Sequence, residues 1–295
     1  MATTTQLPGA LTPPPAIERL ETPAGPRRRT GPAIVAAAVV LAAVALAVAV
    51  PGLLTGGGDP LAADPLHALS PPSLTDWFGT DQLGRDVFVR VVHGARYSLG
   101  IGVAATLLAL VVGAVLGLIA GLAPRIVDEV LSRGFDVLAA FPEVLLALLF
   151  IAFTAPGTPS LILAIALAFA PRYGRLVRAE TLLVRRSGYV EQAVTLGLSR
   201  TRLAVRHILP NVLGPLPILA TIGLGSAIIS AAALSFLGMG AQPPSPEWGA
   251  MLSESRNYLR VAWWSAILPG ATLVVTVVAL TTVGRALQRR FEGRR

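Results

Sequence analysis

The side chains that could carry out acid–base or metal chemistry are few in this sequence, and they lie far apart. The chain has only three histidines, His67, His93 and His207, and it has no cysteine. It contains no Ser/His/Asp set suited to nucleophilic catalysis and no His-Glu-x-x-His pair suited to a zinc hydrolase. The aspartates between residues 52 and 96 are scattered among prolines and lack the spacing of a calcium loop. We therefore expect neither a catalytic site nor a metal site in this chain.

The basic residues exclude a further class of protein. All 24 are arginines, so the sequence contains no lysine. A phosphate-binding P-loop ends in Gly-Lys-Ser/Thr, because its lysine reaches the β- and γ-phosphates of the nucleotide. The chain lacks this loop, so we expect no nucleotide cofactor on it. If its function uses ATP, a different polypeptide must hydrolyse the ATP.

Two polar stretches remain as candidate sites. Residues 78–86 bring together Asp81, Arg85 and Asp86, which could bind a ligand or hold the loop through ion pairs and helix caps. Residues 191–211 read EQAVTLGLSRTRLAVRHILPN and interrupt a chain that is otherwise mostly alanine, valine and leucine. What either stretch can do depends on the elements that position it.

The composition predicts that those elements lie in a membrane. The chain of 295 residues is 54% hydrophobic and only 14% charged, and its mean hydropathy is +0.68. A soluble globular domain carries roughly a quarter charged residues. This sequence is therefore too apolar and too poor in charge for a water-soluble domain.

Six stretches are apolar enough to cross a bilayer, which takes about 20 residues of helix. They are 33–50, 97–122, 137–155, 161–177, 212–237 and 261–283. Pro142 lies inside the third stretch and should bend it. Gly113, Gly117 and Gly121 in the second stretch recur every four residues, which is typical of close helix packing against this chain or a partner. We predict an all-α membrane protein with six transmembrane helices.

These spans divide the chain into four regions. Residues 1–32, rich in Thr, Pro and Ala, are expected to form a disordered cytoplasmic tail. Residues 33–96 hold the first span and a long acidic external segment. Residues 97–284 form a core of five spans that includes the polar loop at about 185–211, and residues 285–295 form a basic tail. We expect Trp248, Trp263 and Trp264 at the membrane interface, where an indole N–H stays hydrated.

The arginines predict the orientation, because cytoplasmic segments carry an excess of positive charge. If the N-terminus is cytoplasmic, nineteen of the 24 arginines fall on the inside and five on the outside. Both termini and the 191–211 stretch are therefore predicted to be cytoplasmic.

The 191–211 stretch itself predicts two short helices. An apolar stripe at helical spacing marks the first helix, and Gly197 ends it in the manner of a C′ glycine. Ser199 then caps a second helix, which we expect Pro210 to stop before the fifth span. The stripe consists of Tyr189, Val190, Ala193, Val194 and Leu196. The loop could pack on the chain's own helices, or it could dock a cytosolic partner that covers the stripe.

This stretch resembles the EAA loop of ABC importer permeases. The shared pattern is Glu-x-Ala, a glycine four residues after the alanine, a gap of nine residues, and His-Ile-Leu-Pro-Asn. Here it comprises Glu191, Gln192, Ala193, Gly197, His207 and Pro210, with Gln192 in place of the usual alanine. In that family the loop holds a coupling helix that sits in a groove of the ATPase subunit. The resemblance implies the same role for these residues.

Two further segments are similar to dipeptide, oligopeptide and nickel permeases. Residues 78–102 carry the Gly-Thr-Asp-x-x-Gly-Arg-Asp pattern of that group, and residues 233–252 carry its Ser-Phe-Leu-Gly and Pro-Pro-x-Pro-x-Trp-Gly patterns. The first pattern corresponds to Gly79, Thr80, Asp81, Gly84, Arg85 and Asp86. The order of the motifs resembles the C-type subunit of a permease pair and implies the fold of a type I importer.

The resemblance also implies partners and a location. They are a homologous permease in a heterodimer, two ATPase subunits that carry ATP and Mg²⁺, and an extracytoplasmic substrate-binding protein, in the bilayer of a prokaryotic plasma membrane. Nucleic acid is not implied. Peptides are the expected substrate, and nickel, opines and glycosides are alternatives. An export permease and a secondary transporter stay open from the residues; the latter would need ionisable groups near mid-membrane, where Glu143 is the main candidate.

Overall fold

The computed structural model of the chain describes residues 31–214 and 216–292, and it describes their side chains except those of Glu191, Val194, Arg200 and residues 290–292. The tail expected at 1–32 lies outside the described residues apart from Gly31 and Pro32, which open the first helix. The end of the basic tail, 293–295, also lies outside them. Within the described ranges the chain is helical and forms no strand.

Twelve α-helices make up the described part of the chain. In chain order they are α1 Gly31–Ala49, α2 Pro51–Thr55, α3 Val87–Leu122, α4 Arg125–Ala139, α5 Glu143–Thr154, α6 Thr158–Arg185, α7 Gly188–Thr195, α8 Arg200–Leu203, α9 Leu209–Leu213, α10 Leu216–Phe236, α11 Trp248–Ser255 and α12 Trp264–Glu292. Short 3₁₀ turns at Pro65–His67 and Arg256–Tyr258 and a π-helical turn at Ala204–Ile208 connect some of them.

Five of these helices are long and apolar enough to cross a membrane: α1, α3, α6, α10 and α12. The bend predicted at Pro142 is confirmed, and it is sharp enough to divide the stretch 137–155 between two helices. Helix α4 ends at Ala139, α5 begins at Glu143, and their axes differ by 95°. Pro142 is the physical reason, because its ring clashes with the preceding turn and it has no N–H to donate. If the bent pair counts as one span, the described residues hold six.

Helices α3 and α6 extend beyond the predicted spans. Helix α3 begins at Val87, ten residues before the expected start, because Asp86 caps it. The Asp86 carboxylate accepts hydrogen bonds from the Phe88 and Val89 N–H groups. Its 36 residues make it about 54 Å long, against a hydrocarbon core of about 30 Å. Helix α6 passes through Pro171 and continues to Arg185, eight residues beyond the predicted end.

The glycine series of α3 packs on α6 of the same chain. A Cβ on Gly113 would come within 2.6 Å of the Ala170 carbonyl oxygen, and one on Gly117 within 2.3 Å of the Gly174 carbonyl oxygen. Gly121 lies against Thr181 in the same manner. These contacts advance in step along both helices, so α3 and α6 run parallel. The glycine series therefore packs against a helix of this chain, which is α6.

The remaining spans complete the bundle around this pair. Helix α10 packs on α3 and α12, and α1 packs on α12 and α3. Arg96 of α3 donates to the Val48 and Ala49 carbonyls at the end of α1, at 3.1 and 3.4 Å. The polar loop lies at the end of the bundle where α6 ends and α10 begins. The acidic segment lies at the opposite end, where α3 and α12 begin.

Candidate functional site: the arginine-rich loop and the buried ion-pair cluster

The first helix of the arginine-rich loop ends as its sequence predicts. Gly197 has φ +78°, and the Leu198 N–H donates to the Ala193 carbonyl at 3.2 Å. This is the bond that a left-handed C′ residue makes possible in a Schellman motif. The turn reverses the chain after α7, so Leu196 and Gly197 are exposed at the tip of the loop.

The second helix runs further than expected. Helix α8, the π-helical turn and α9 follow one another without a break from Arg200 to Leu213. Pro210 therefore does not stop the helix, contrary to our expectation. The Leu209 N–H donates to the Ala204 carbonyl in a wider π turn. This turn directly precedes Pro210, which has no N–H to contribute to a regular α-helical turn.

The apolar stripe of α7 is divided between two faces. Val190 and Ala193 are buried at 2% and 6% exposure. Val190 joins a core cluster with Ile208 and Val212. The expectation that Ala193 presents its side chain to a partner is therefore wrong, because the chain's own helices cover it. Tyr189 and Leu196 point outward and are 44% and 81% exposed.

The other predicted loop residues differ in accessibility. Gln192 is exposed and borders a shallow depression with Gly188, Thr195 and Leu196. His207 is half-buried, and its carbonyl accepts from the Asn211 side chain at 2.7 Å. Pro210 is exposed beside a second depression that Arg202 and Arg206 line. Glu191 lies in α7, but its side chain is outside the described set.

At the opposite end of the bundle, Asp81 and Arg85 belong to a buried cluster of four charged side chains. Arg85 Nε lies 2.6 Å from Asp81 Oδ2, and Arg85 Nη2 lies 2.8 Å from Glu254 Oε2. Arg90 Nη2 lies 3.2 Å from the same Glu254 oxygen, and Arg90 Nε lies 3.6 Å from Asp81 Oδ2. Two cations and two anions balance, so burial leaves no net charge in the cluster.

This cluster joins three separate parts of the chain. Asp81 and Arg85 come from the acidic segment, Arg90 from the first turn of α3, and Glu254 from α11. Arg90 is fully buried, and the Arg90 Nε atom has no hydrogen-bond acceptor among the described residues. Sequence reasoning missed Arg90 and Glu254, because nothing in their local sequence indicates which distant charges they meet.

The rest of the external motif folds the segment around the cluster. Gly79 and Gly84 have φ of +68° and +73°, and the Gly84 backbone packs directly on the Asp64 carbonyl. The buried Thr80 hydroxyl donates to the His67 carbonyl and accepts from the Ser70 N–H. Asp86 caps α3. Burial raises the pKa of the Asp86 carboxyl, and the hydrogen bonds from the Val89 and Phe88 N–H groups offset part of this rise. Each motif residue therefore has a structural role here.

A second buried polar group anchors α11 to α3. Glu247 is 1% exposed, and its carboxylate accepts from the Ser98 hydroxyl at 3.0 Å and from the Gly249 and Ala250 N–H groups. The indole N–H groups of Trp248 and Trp264 are not hydrated, contrary to our expectation. Both are buried, and their indole N–H groups donate to the Val91 and Thr80 carbonyls. Only Trp263 among the three is exposed.

The described residues hold no group of three or more His, Cys, Asp or Glu side chains arranged around a metal position. The arrangement is that of a membrane-embedded helical bundle. A polar loop protrudes at one end, and an external segment held by buried ion pairs covers the other. These features define a polytopic membrane protein.

The comparison with protein families names the class. Residues 113–295 match the family described as binding-protein-dependent transport system inner membrane component, and the chain belongs to this family. It is 44% identical over 225 residues to the dipeptide transport system permease protein DppC of Alkalihalophilus pseudofirmus, with 76% of this chain and 74% of that protein aligned. The glutathione transport system permease protein GsiD of Pectobacterium atrosepticum is 40% identical, with 74% and 72% aligned.

Solved structures confirm the fold. The MetNI methionine ABC transporter in inward-facing conformations superposes with a TM-score of 0.57 at 19% identity, covering 68% of this chain and 95% of that one. An amino acid ABC transporter gives 0.54 at 15% identity, covering 68% and 94%. The predicted importer-permease fold is therefore confirmed. The family assignment also decides against a secondary transporter.

Proposed function

We propose that this chain is one of two membrane-spanning subunits of an ATP-driven peptide importer and that α7 with the following turn docks a separate ATPase. The observation that carries the docking proposal is the divided stripe of α7. One side, Val190 and Ala193, is fixed on the chain's own core, whereas Leu196 stands 81% exposed at the tip. Tyr189, seven residues earlier on the same face of α7, is also 44% exposed, and a cluster of uncovered apolar side chains is typical of a protein-interaction site.

The positive φ of Gly197 supports the same proposal. The left-handed turn comes directly after the exposed Leu196 and leads the chain from α7 into α8. Arg202 and Arg206, in the helical segment that follows, are also exposed. The proposed contact therefore consists of an apolar tip with a basic rim, a combination that favours a complementary groove on a protein partner.

The substrate proposal rests on the relatives. The aligned proteins from Alkalihalophilus pseudofirmus and from Pseudomonas aeruginosa are named as dipeptide and di/tripeptide permeases, at 44% and 41% identity. We infer that this chain also passes short peptides, received from an extracytoplasmic binding protein. The chain itself carries out no ATP hydrolysis in this scheme, and its partner subunits hold ATP and Mg²⁺.

Leu196→Asp tests the docking role. It should abolish co-purification of the ATPase subunits and uptake of a labelled dipeptide while leaving membrane abundance unchanged, because Leu196 makes no core contact. The matched control is Leu74→Asp, which changes a leucine that is 97% exposed at the opposite end and should retain the ATPase. Normal ATPase retention by Leu196→Asp would reject α7 as the docking element.

The substrate class is tested separately in a strain that lacks the gene. Uptake of a labelled dipeptide should be lost and should return with the wild-type chain, whereas uptake of labelled nickel should be the same in both strains. A nickel or glycoside defect with normal dipeptide uptake would replace the peptide proposal and leave the docking proposal intact.

A further inference from the structure

Helix α4 is firmly attached to the bundle along one side. The Phe135 ring packs on Gly174 of α6, where an added Cβ would come within 2.5 Å of the ring. Arg178 of α6 binds the Asp128 carboxylate in a bidentate ion pair, with Nη2 to Oδ2 at 2.8 Å. Arg175 lies 3.8 Å from Asp136. The orientation of α4 about its own axis is therefore fixed.

The fixed orientation leaves an apolar sector of α4 uncovered. Successive residues of an α-helix are about 100° apart, which places Ile126, Val130 and Val137 within one narrow sector. These side chains are 78%, 65% and 61% exposed. Gly134 continues the same sector with open space around it. The exposed charges of Arg125, Glu129 and Arg133 fall in the neighbouring sector.

Helix α4 also runs across the bundle rather than along it. Helix α5 packs along α6 and so follows the direction of the spanning helices. The axis of α4 makes an angle of 95° with α5. The 15 residues of α4 therefore extend for about 22 Å roughly parallel to the membrane plane.

The depth of α4 follows from the register of its neighbours. Arg96 on α3 meets the end of α1 and marks one boundary of the apolar slab. Gly113, seventeen residues later, lies against Ala170 and Gly174 of α6, at a distance of about 25 Å along α3. The exposed arginines of α6 begin at this level, with Arg172. Since the hydrocarbon core is about 30 Å thick, α4 lies close to the opposite boundary.

We propose that α4 is an interfacial helix that lies flat in the lipid headgroup layer at the arginine-rich end of the bundle. Ile126, Val130 and Val137 insert between the upper parts of the acyl chains. Arg125 and Arg133 lie among the headgroups, where phosphate groups neutralise their charge. An amphipathic helix with separate apolar and charged sectors binds a bilayer surface in this way.

Spin labels can test this placement directly, because the chain has no cysteine of its own. Single cysteines would be introduced at Val130, Gly134 and Glu129 of the full chain, purified with its co-purifying subunits after their own cysteines are replaced. The nitroxide-labelled assemblies would be placed in nanodiscs of phosphatidylethanolamine and phosphatidylglycerol. Collision rates with oxygen, which concentrates in the bilayer, and with the water-soluble nickel complex NiEDDA would then be measured.

At Val130 and Gly134 the collision rate with oxygen should exceed the rate with NiEDDA, and at the adjacent Glu129 the order should be reversed. Protection of Val130 and Gly134 from both reagents would show that another subunit covers α4 and would overturn the proposal. Higher NiEDDA than oxygen collision at all three positions would place α4 in water and would also overturn it. The measurement does not depend on peptide transport or on ATPase docking.

Discussion

At the scale of single residues, the charged side chains of the external motif act as structural ties. Arg85 and Arg90 share the Glu254 carboxylate, and Arg85 also binds Asp81, all with little exposure to solvent. Removing one member of a buried ion pair is more costly than replacing the whole pair, because the remaining charge stays desolvated. The cluster is therefore sensitive to single neutralising changes.

We predict that Glu254→Gln lowers the stability of the chain by about 3–5 kcal/mol, because it leaves two buried guanidinium groups with one carboxylate. The measurement is thermal unfolding of the purified assembly in detergent. Glu129→Gln neutralises an exposed glutamate of α4 and serves as the control, with little expected change. Equal melting temperatures for the two variants would show that the cluster does not stabilise the fold.

Gly197 is a second residue whose replacement has a predictable effect, because its backbone conformation limits which side chains fit there. Its φ is +78°, and nothing lies within 4 Å of an added Cβ. Only backbone strain, and not steric overlap, therefore opposes a substitution there. Asparagine tolerates the left-handed region, whereas a β-branched residue does not.

We predict that Gly197→Val disturbs the turn at a cost of roughly 1–2 kcal/mol and reduces ATPase co-purification and dipeptide uptake. Gly197→Asn should retain most of the ATPase co-purification and most of the dipeptide uptake. If the two variants behave alike, the positive φ is not what the turn requires.

At the scale of elements, α3 and α6 approach each other closely because glycines line α3. A Cβ on Gly113 or Gly117 would overlap a carbonyl oxygen of α6, so larger residues would prevent this close approach. Gly100 lies on the same helix but faces open space. The two kinds of glycine provide a matched pair for a test.

We predict that Gly117→Ala destabilises the bundle by about 1–3 kcal/mol, since even one methyl group forces the helices apart. Gly100→Ala should be neutral or slightly stabilising, because alanine is the better helix former. Melting temperatures of the two variants in the same detergent decide the matter. A more stable Gly117→Ala variant would contradict the close packing of α3 on α6.

At the scale of the whole molecule, three of the five arginines that violate the charge bias have structural partners. Arg85 and Arg90 are buried in the ion-pair cluster, and Arg96 binds the last carbonyls of α1. Their positive charge is used within the fold, so they do not weaken the topology argument. The other nineteen favour the cytoplasm for the arginine-rich end.

We predict that a membrane-impermeant maleimide labels a cysteine at Leu74 in intact cells and labels one at Ser199 only after the cells are opened. Both positions are exposed, whereas Thr80 in the same external segment is 2% exposed and could not report topology. Labelling in the opposite order would invert the orientation.

The sequence by itself determined the features that depend on local pattern. Hydrophobic stretches identified five spans, Gly197 predicted its left-handed turn, and the three ordered motifs identified the permease family. Each of these follows from residues close in the chain, such as the run of apolar residues that a bilayer requires.

Only the tertiary structure decided the features that depend on distant contacts. It buried Ala193 and Trp248, and it brought Glu254 to Arg85 and Arg90. Burial depends on which element packs against a residue, and charge pairing depends on positions more than 160 residues apart. Local sequence pattern specifies neither, because the same residues can form the same helices whatever packs against them.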